Sequence, residues 1–338
     1  MIGNSHKRVH GAKNSITDVP CVKIGNYSDH VLLTGLTVVV PDDRCVAGVD
    51  VRGSAPGTRE TDLLNPINQV DKVDAIMLSG GSAFGLSNAD GVMRFLEEEG
   101  RGYPARDGVK IPIVPSAIIF DLYRGEKRER LPLDAGYQAC KALNLDVEQG
   151  NFGVGTGAIA GGIKGGLGTA SEVLPIGVTV GSIVAVNSAG YVADPRCGGF
   201  YARYLELENE YGDVPRLPVN GNTYSPLSTR LGENTVIGVV ATDASLSKTE
   251  ATKVAQMAHD GIARAVSPSH TMFDGDTVFV LATGEKDTNG RRGSLVSLIG
   301  SVAADVFSRA IIHGVLSASY VNHIESYMDR VRLFDGGG

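Results

Sequence analysis

A threonine at the head of a buried strand, behind a long run of breakers, holds the most chemistry in this 338-residue chain. Thr235 opens Thr-Val-Ile-Gly-Val-Val-Ala-Thr-Asp-Ala (235–244), a run β-branched and apolar enough for a strand covered on both sides. Before it, residues 206–234 are polar and rich in Pro, Gly and Asn, with neither helical nor strand periodicity. A connection of that length inside a compact domain is as a rule functional, disordered or cut, and here it reads as a linker cut at its end. If the bond between Asn234 and Thr235 is broken, one residue carries both a nucleophilic hydroxyl and a free α-amine. Such an amine has a pKa of about 7.7 to 8.0, so near neutral pH it can take the proton of its own hydroxyl without a histidine. The plain alternative is a threonine that starts a strand after a turn.

Four other places have residue types suited to the same chemistry. Asn187 ends the apolar run 178–187, where it is either a turn former or a side-chain amide donor to an oxyanion. Lys164 is the only charge in the glycine-rich stretch 150–171, as a surface lysine or a buried functional cation. That stretch satisfies neither the Walker pattern nor the dinucleotide fingerprint. Asp274 and Asp276 flank Gly275 ahead of a strand; they could hold an amine and a hydroxyl, whereas the remaining ligands of a calcium loop are missing and a surface turn is the bland reading. Ser82 follows a strand and two glycines, but Phe84 stands where the nucleophile elbow needs Gly, leaving Ser82 as a helix cap.

The elements that must place these residues alternate between strand and helix. Residues 16–25 and 35–51 read as paired strands, 73–78 as a short buried strand, and 111–123 as an extended apolar segment. Helical spacing appears over 86–99, 134–143, 247–266 and 294–320, with Ser247-Lys-Thr-Glu250 as a capping box. The charged run 124–130 reads as a solvated loop.

Composition is globular, with 42% hydrophobic and 20% charged residues, and a formal charge of -7 is spread without blocks. That distribution implies no nucleic-acid or anionic membrane partner. Four scattered cysteines without a Cys-x-x-Cys pair point to a reduced, cytoplasmic setting. The N-terminus lacks the apolar segment of a signal peptide, and no continuous apolar stretch approaches the roughly 20 residues of a membrane span.

Taken in order, Asp50–Thr61 with Ser54-Ala-Pro-Gly-Thr58, Gly80-Gly-Ser-Ala-Phe-Gly-Leu86, Gly155-Thr-Gly157 with Lys164-Gly-Gly166, Val186-Asn187, Asn234-Thr235 and Asp274-Gly-Asp-Thr-Val-Phe279 form a set. This set resembles the self-processing β-peptidyl and D-aminopeptidase family, which includes the nylon oligomer hydrolases that cut 6-aminohexanoate amides. The likeness spans about residues 15 to 320. It implies an α/β fold with two sheets sandwiched between helical layers, cleaved into a larger piece, 1–234, and a smaller one, 235–338, that together make one folded domain.

By position the resemblance makes Thr235 the nucleophile and Asn187 an oxyanion donor. It brings Asp274 and Asp276 close to the nylon hydrolase pattern and matches Lys164 to a lysine there after a small gap. It implies a small amide or short peptide substrate, no metal or organic cofactor, and a homo-oligomer, a tetramer of processed pairs. Where the nylon hydrolase carries a tyrosine near its nucleophile, this chain has Phe120. The hydroxyl is then dispensable, supplied by Tyr123 or Tyr137, or matched to a different substrate. An acyltransferase of the ornithine acetyltransferase type, which also cuts itself before a Thr, and a non-enzymatic assembly protein are the alternatives.

Overall fold

The computed structural model describes residues 7–219, 234–287 and 291–335. Two sheets lie face to face between two helical layers, and the apolar residues sort into the three interfaces this stacking creates. The six-stranded sheet runs Gly166–Val173, Thr179–Asn187, Thr235–Ala244, Thr277–Lys286, Cys45–Val51, Lys72–Val73. The five-stranded sheet runs Val22–Asp29, Thr34–Pro41, Ile76–Ser79, Ser116–Ile118, Thr58–Arg59. Between the sheets, Ile24, Val39, Ile76 and Leu78 of the smaller meet Ile183, Ile237, Val239 and Phe279 of the larger. On the outer face of the larger sheet, Val184, Val236 and Val240 pack against helices Lys248–Ala265 and Arg292–Leu316. On the outer face of the smaller, Leu36, Val38 and Met77 meet helices Ala89–Glu98 and Ala135–Lys141.

A strand buried on both faces must be apolar at odd and even positions alike, which is why the 235–244 run does not alternate. The helix layer also needs close approach. A side-chain carbon at Gly238 would lie 2.7 Å from the Phe307 ring, and one at Gly168 would lie 2.0 Å from the Ala310 carbonyl. These contacts account for glycine inside strands of the central sheet. The Arg292–Leu316 helix is long and apolar enough to cross a membrane by length and composition, and it is packed into this core.

Several expectations need correction. The 35–51 stretch is two strands in different sheets: Thr34–Pro41 pairs with Val22–Asp29, while Cys45–Val51 pairs with Thr277–Lys286. Both halves are apolar, and pattern alone does not say which sheet a strand joins. Residues 16–18 form a capped 3-10 turn rather than strand, and within 111–123 only Ile111 and Ser116–Ile118 lie in strands. Ser82 does not cap a helix: Gly81 occupies that position without a side-chain bond, and Ser82 itself sits at φ 53°. The Ser247 capping box is present as expected.

The 206–234 linker is only partly a linker. Residues 206–219 are described, and Leu207, Glu210 and Tyr211 are packed into the body; 220–233 lie outside the described residues. Glu210 accepts from Arg309 at 2.6 and 2.7 Å and pairs with His313 at 2.9 Å, and Arg309 is fully buried. Burial pushes the Glu210 carboxyl up, but the bonds from His313 and Arg309 outweigh it and hold the group well below the usual carboxylate range. A depressed carboxylate stabilises the fold above its unfolded pKa of about 4.3, and that contribution is lost as pH falls towards the folded value. Replacing Glu210 with Ala strands a buried guanidinium and should cost about 3 to 5 kcal/mol in urea unfolding at pH 7. The gap to wild type should narrow below about pH 4; a constant gap would show that the ion pair is not the cause.

Candidate active site

The register of the large sheet puts the candidate nucleophile and candidate oxyanion donor side by side. Thr235 pairs with Asn187 across the antiparallel ladder, and on its other side the strand runs parallel to Thr277–Lys286. Side chains alternate between faces. Ile237 and Ile183 fill the space between the sheets, so Thr235 and Asn187, an even number of residues away on each strand, open onto that same side. Both sit at the strand ends, where polar groups replace core, and only 3% of Thr235 is exposed.

The Thr235 hydroxyl donates to the carbonyl oxygen of Asn234, the carbonyl whose carbon it would have to attack. The Gly275 N–H is shared between that carbonyl oxygen, at 3.2 Å, and Thr235 Oγ1, at 3.3 Å. It is therefore placed to polarise the Asn234 carbonyl. Asp274 is bridged in parallel to Asn234, and Asp276 Oδ1 accepts the Val236 N–H at 2.7 Å. Loop 52–57 closes over this turn, with Ala55 N donating to the Asp274 carbonyl at 2.9 Å.

Neither aspartate is a surface group, being 2% and 1% exposed. Burial, and then the charge of Asp276, push the Asp274 carboxyl up. His270 completes this flank: its Nδ1 lies 2.7 Å from Asp276 Oδ2. Among the described residues no group of three or more His, Cys, Asp or Glu side chains is placed to hold a metal ion.

The opposite flank is basic. Asn187 Oδ1 accepts from the Ile159 N–H at 3.1 Å and from Arg124 Nη1 at 2.6 Å. Both partners can only donate, so the acceptor end of the amide is fixed and its NH2 is the end presented as donor. Lys164 faces Ile159 in a two-residue ladder, and its Nζ donates to the Gly155 and Gly165 carbonyls, each at 2.8 Å. It is fully buried, which corrects the surface reading. Burial, and then the neighbouring Arg124 charge, bring its ammonium down to about 7. Asp121, also fully buried, accepts the Gly81 N–H at 2.6 Å, and burial pushes its carboxyl up to about 6.

Thus the structure gathers Thr235, Asn187, Lys164, Asp274 and Asp276 around one strand end, and adds Arg124, Asp121, His270 and the Gly275 amide. Arg124 was hidden in a charged run read as a solvated loop; residues 126–130 are exposed, but Arg124 itself turns inward to Asn187 and Gly157. His270 had a sequence signal, lying four residues before Asp274 within a turn. Tyr137 does not supply the hydroxyl missing at Phe120: it sits in the outer helical layer with its hydroxyl on Glu98 at 2.7 Å. Tyr123 is 54% exposed beside the Arg128 guanidinium, and Phe120 contributes its carbonyl, an acceptor for Asn187 Nδ2 at 3.4 Å.

Residues 14–328 match the model of Peptidase family S58. An uncharacterised aminopeptidase of Mycobacterium tuberculosis is 47% identical over 338 residues, covering 94% of this chain and 97% of that protein. A 6-aminohexanoate-oligomer endohydrolase of Paenarthrobacter ureafaciens is 28% identical over 315 residues, covering 87% of this chain and 84% of that protein. Among solved structures, a β-aminopeptidase of Burkholderia sp. matches with a TM-score of 0.71 at 23% identity, over 98% of this chain and 95% of that one. The L-aminopeptidase D-Ala-esterase/amidase of Ochrobactrum anthropi, described as a variant of the Ntn hydrolase fold, matches with a TM-score of 0.70 at 18% identity, over 97% and 94%. At these identities the two structures establish the fold.

The buried lysine makes a testable demand on stability. Between its folded value of about 7 and the unfolded value of about 10.4, the unfolded chain holds the extra proton, so stability rises with pH. In Lys164→Met that slope should fall by about 1.4 kcal/mol per pH unit between pH 8 and 10, read by urea unfolding. Equal slopes in the two proteins would mean that Lys164 stays charged when folded.

Proposed function

This chain belongs to peptidase family S58 and is a hydrolase of amide or peptide bonds; we propose that it makes its own nucleophile by cutting between Asn234 and Thr235. The observation that carries this reading is the position of the Thr235 hydroxyl against the Asn234 carbonyl, with the Gly275 N–H on the carbonyl oxygen. Thr235 Oγ attacks that carbon, the C–N bond breaks, and the acyl group moves from nitrogen to oxygen. Water hydrolyses the ester, leaving a carboxylate on Asn234 and a free hydroxyl and α-amine on Thr235. The two pieces stay together because the large sheet is shared: Thr179–Asn187 and Cys45–Val51 from 1–234 flank the two strands of 235–338.

In turnover the amine takes the proton of the Thr235 hydroxyl as it attacks a substrate amide, and later delivers a proton to the leaving amine. Asn187, its amide held by Arg124 and Ile159, donates to the oxyanion. Arg124 adds positive potential on the side where negative charge develops, joined by Lys164 in its protonated form below about pH 7, while Asp274 and Asp276 orient the amine from the turn on the other side. The substrates that suit this arrangement are short peptides with a free N-terminal residue or linear ω-amino-acid oligomers, the two classes suggested by the relatives' names.

Alanine p-nitroanilide and a linear 6-aminohexanoate trimer serve as probes of the two classes. Wild type should hydrolyse at least one, Thr235→Ala neither, and Asn187→Ala should be slower in kcat by about 10² to 10³-fold. Hydrolysis by the Thr235→Ala protein would remove this residue from the mechanism.

A further inference from the structure

The carboxylate flank poses a problem for the mechanism that uses it. An α-amine can act as a base only when neutral, and two nearby carboxylates favour its charged form. Asp274 and Asp276, separated by Gly275 and both buried, sit in the turn that leads into the strand beside Thr235, and Asp276 is bonded to Val236, the next residue along. Left unopposed, the pair would hold the amine as an ammonium at neutral pH.

His270 opposes it. Asp276 Oδ2 receives the His270 ring at Nδ1, 2.7 Å away, and the His270 backbone N–H at 3.1 Å, while Oδ1 is taken by Val236. The residue is held in the left-handed region at φ 55°, a conformation uncommon outside glycine. Its ring meets His259 edge to face, with centroids 5.1 Å apart. His259, from helix Lys248–Ala265, is fully buried and directs Nε2 at the Asp50 carbonyl at 2.8 Å, which makes Nε2 the proton-bearing nitrogen. Burial holds its pKa down to about 4, so the group packed on His270 is neutral near pH 7. Behind it, Asp50 is paired with Arg52 at 2.7 Å. Among the described residues, the charged groups that face His270 are therefore Asp276, in contact, and Asp274 beside it.

We propose that His270 is a positioning residue that sets the basicity of the Thr235 α-amine: by donating from Nδ1 to Asp276 Oδ2 it fixes that carboxylate and offsets its charge. The inference rests on the reading that Thr235 becomes an N-terminus. Removing the donor leaves both carboxylates to act on the amine, raises its pKa, and lowers the neutral fraction that can serve as base.

The test reads the amine itself. Purified protein is acetylated with acetic anhydride across pH 5 to 10, and the rate at the Thr235 α-amine is followed by mass spectrometry of the peptide that begins there. His270→Ala should raise the amine pKa by about one unit, roughly a tenfold loss of neutral amine near pH 7. His270→Asn, whose side-chain amide can donate from the Nδ1 position and whose backbone tolerates φ 55°, should return most of that shift. His270→Leu replaces the alanine variant if that protein does not fold or cut. A cut protein whose amine titrates identically in wild type and the donor-less variant overturns the role of His270 alone. An asparagine variant as shifted as alanine overturns the hydrogen bond as the cause. A wild type that stays uncut overturns the self-made nucleophile, and this inference with it.

Discussion

A strand covered on both faces is apolar through its middle, and the central strand keeps its polar residues towards its ends; the site is built on that constraint. Thr235 is where the apolar run of the central strand stops, and ladders on both sides fix its backbone before any side chain is considered. The antiparallel neighbour delivers Asn187 opposite it, and the parallel neighbour delivers the 274–276 turn. Because the second ladder is parallel, the strand and that turn present their starts at the same edge. A hydroxyl, an amide and two carboxylates thus converge with no loop having to reach for them.

The same geometry separates charge. Arg124 and Lys164 lie on the Asn187 side, Asp274, Asp276 and His270 on the other, and Thr235 stands between them. The proposed acyl transfer needs positive potential where the oxyanion forms and an anchored amine where the proton goes, and in that reading the first comes from the Asn187 side and the second from the 274–276 turn. Burial makes these groups costly to hold, and the structure meets that cost with backbone: Lys164 on two carbonyls, Asp121 on the Gly81 N–H, Asp276 on Val236 and His270. Solvent at the site is limited by the same packing, with loop 52–57 tied to the aspartate turn.

Much of this was legible in the chain. The 235–244 run, the Asn187 exit and the Asp-Gly-Asp turn each announced a strand boundary with chemistry on it, and the resemblance put them in one site and one layered fold. What the sequence does not carry is partnership. Cys45–Val51 looks like a continuation of its predecessor because both are apolar, yet it joins the other sheet. Arg124 looks like its exposed neighbours because a charged run has no period to show which member turns inward. Lys164 gave no sign of burial because its partners are backbone carbonyls, which every sequence has. The Gly275 amide was invisible for the same reason.

The most direct measurement is the intact mass of the purified wild-type protein after a day at neutral pH. A self-made nucleophile predicts two species whose masses correspond to residues 1–234 and 235–338, in equal amounts and in one particle. A single species of the full 338 residues, unchanged on longer incubation, would contradict it and leave Thr235 as the first residue of a strand and nothing more.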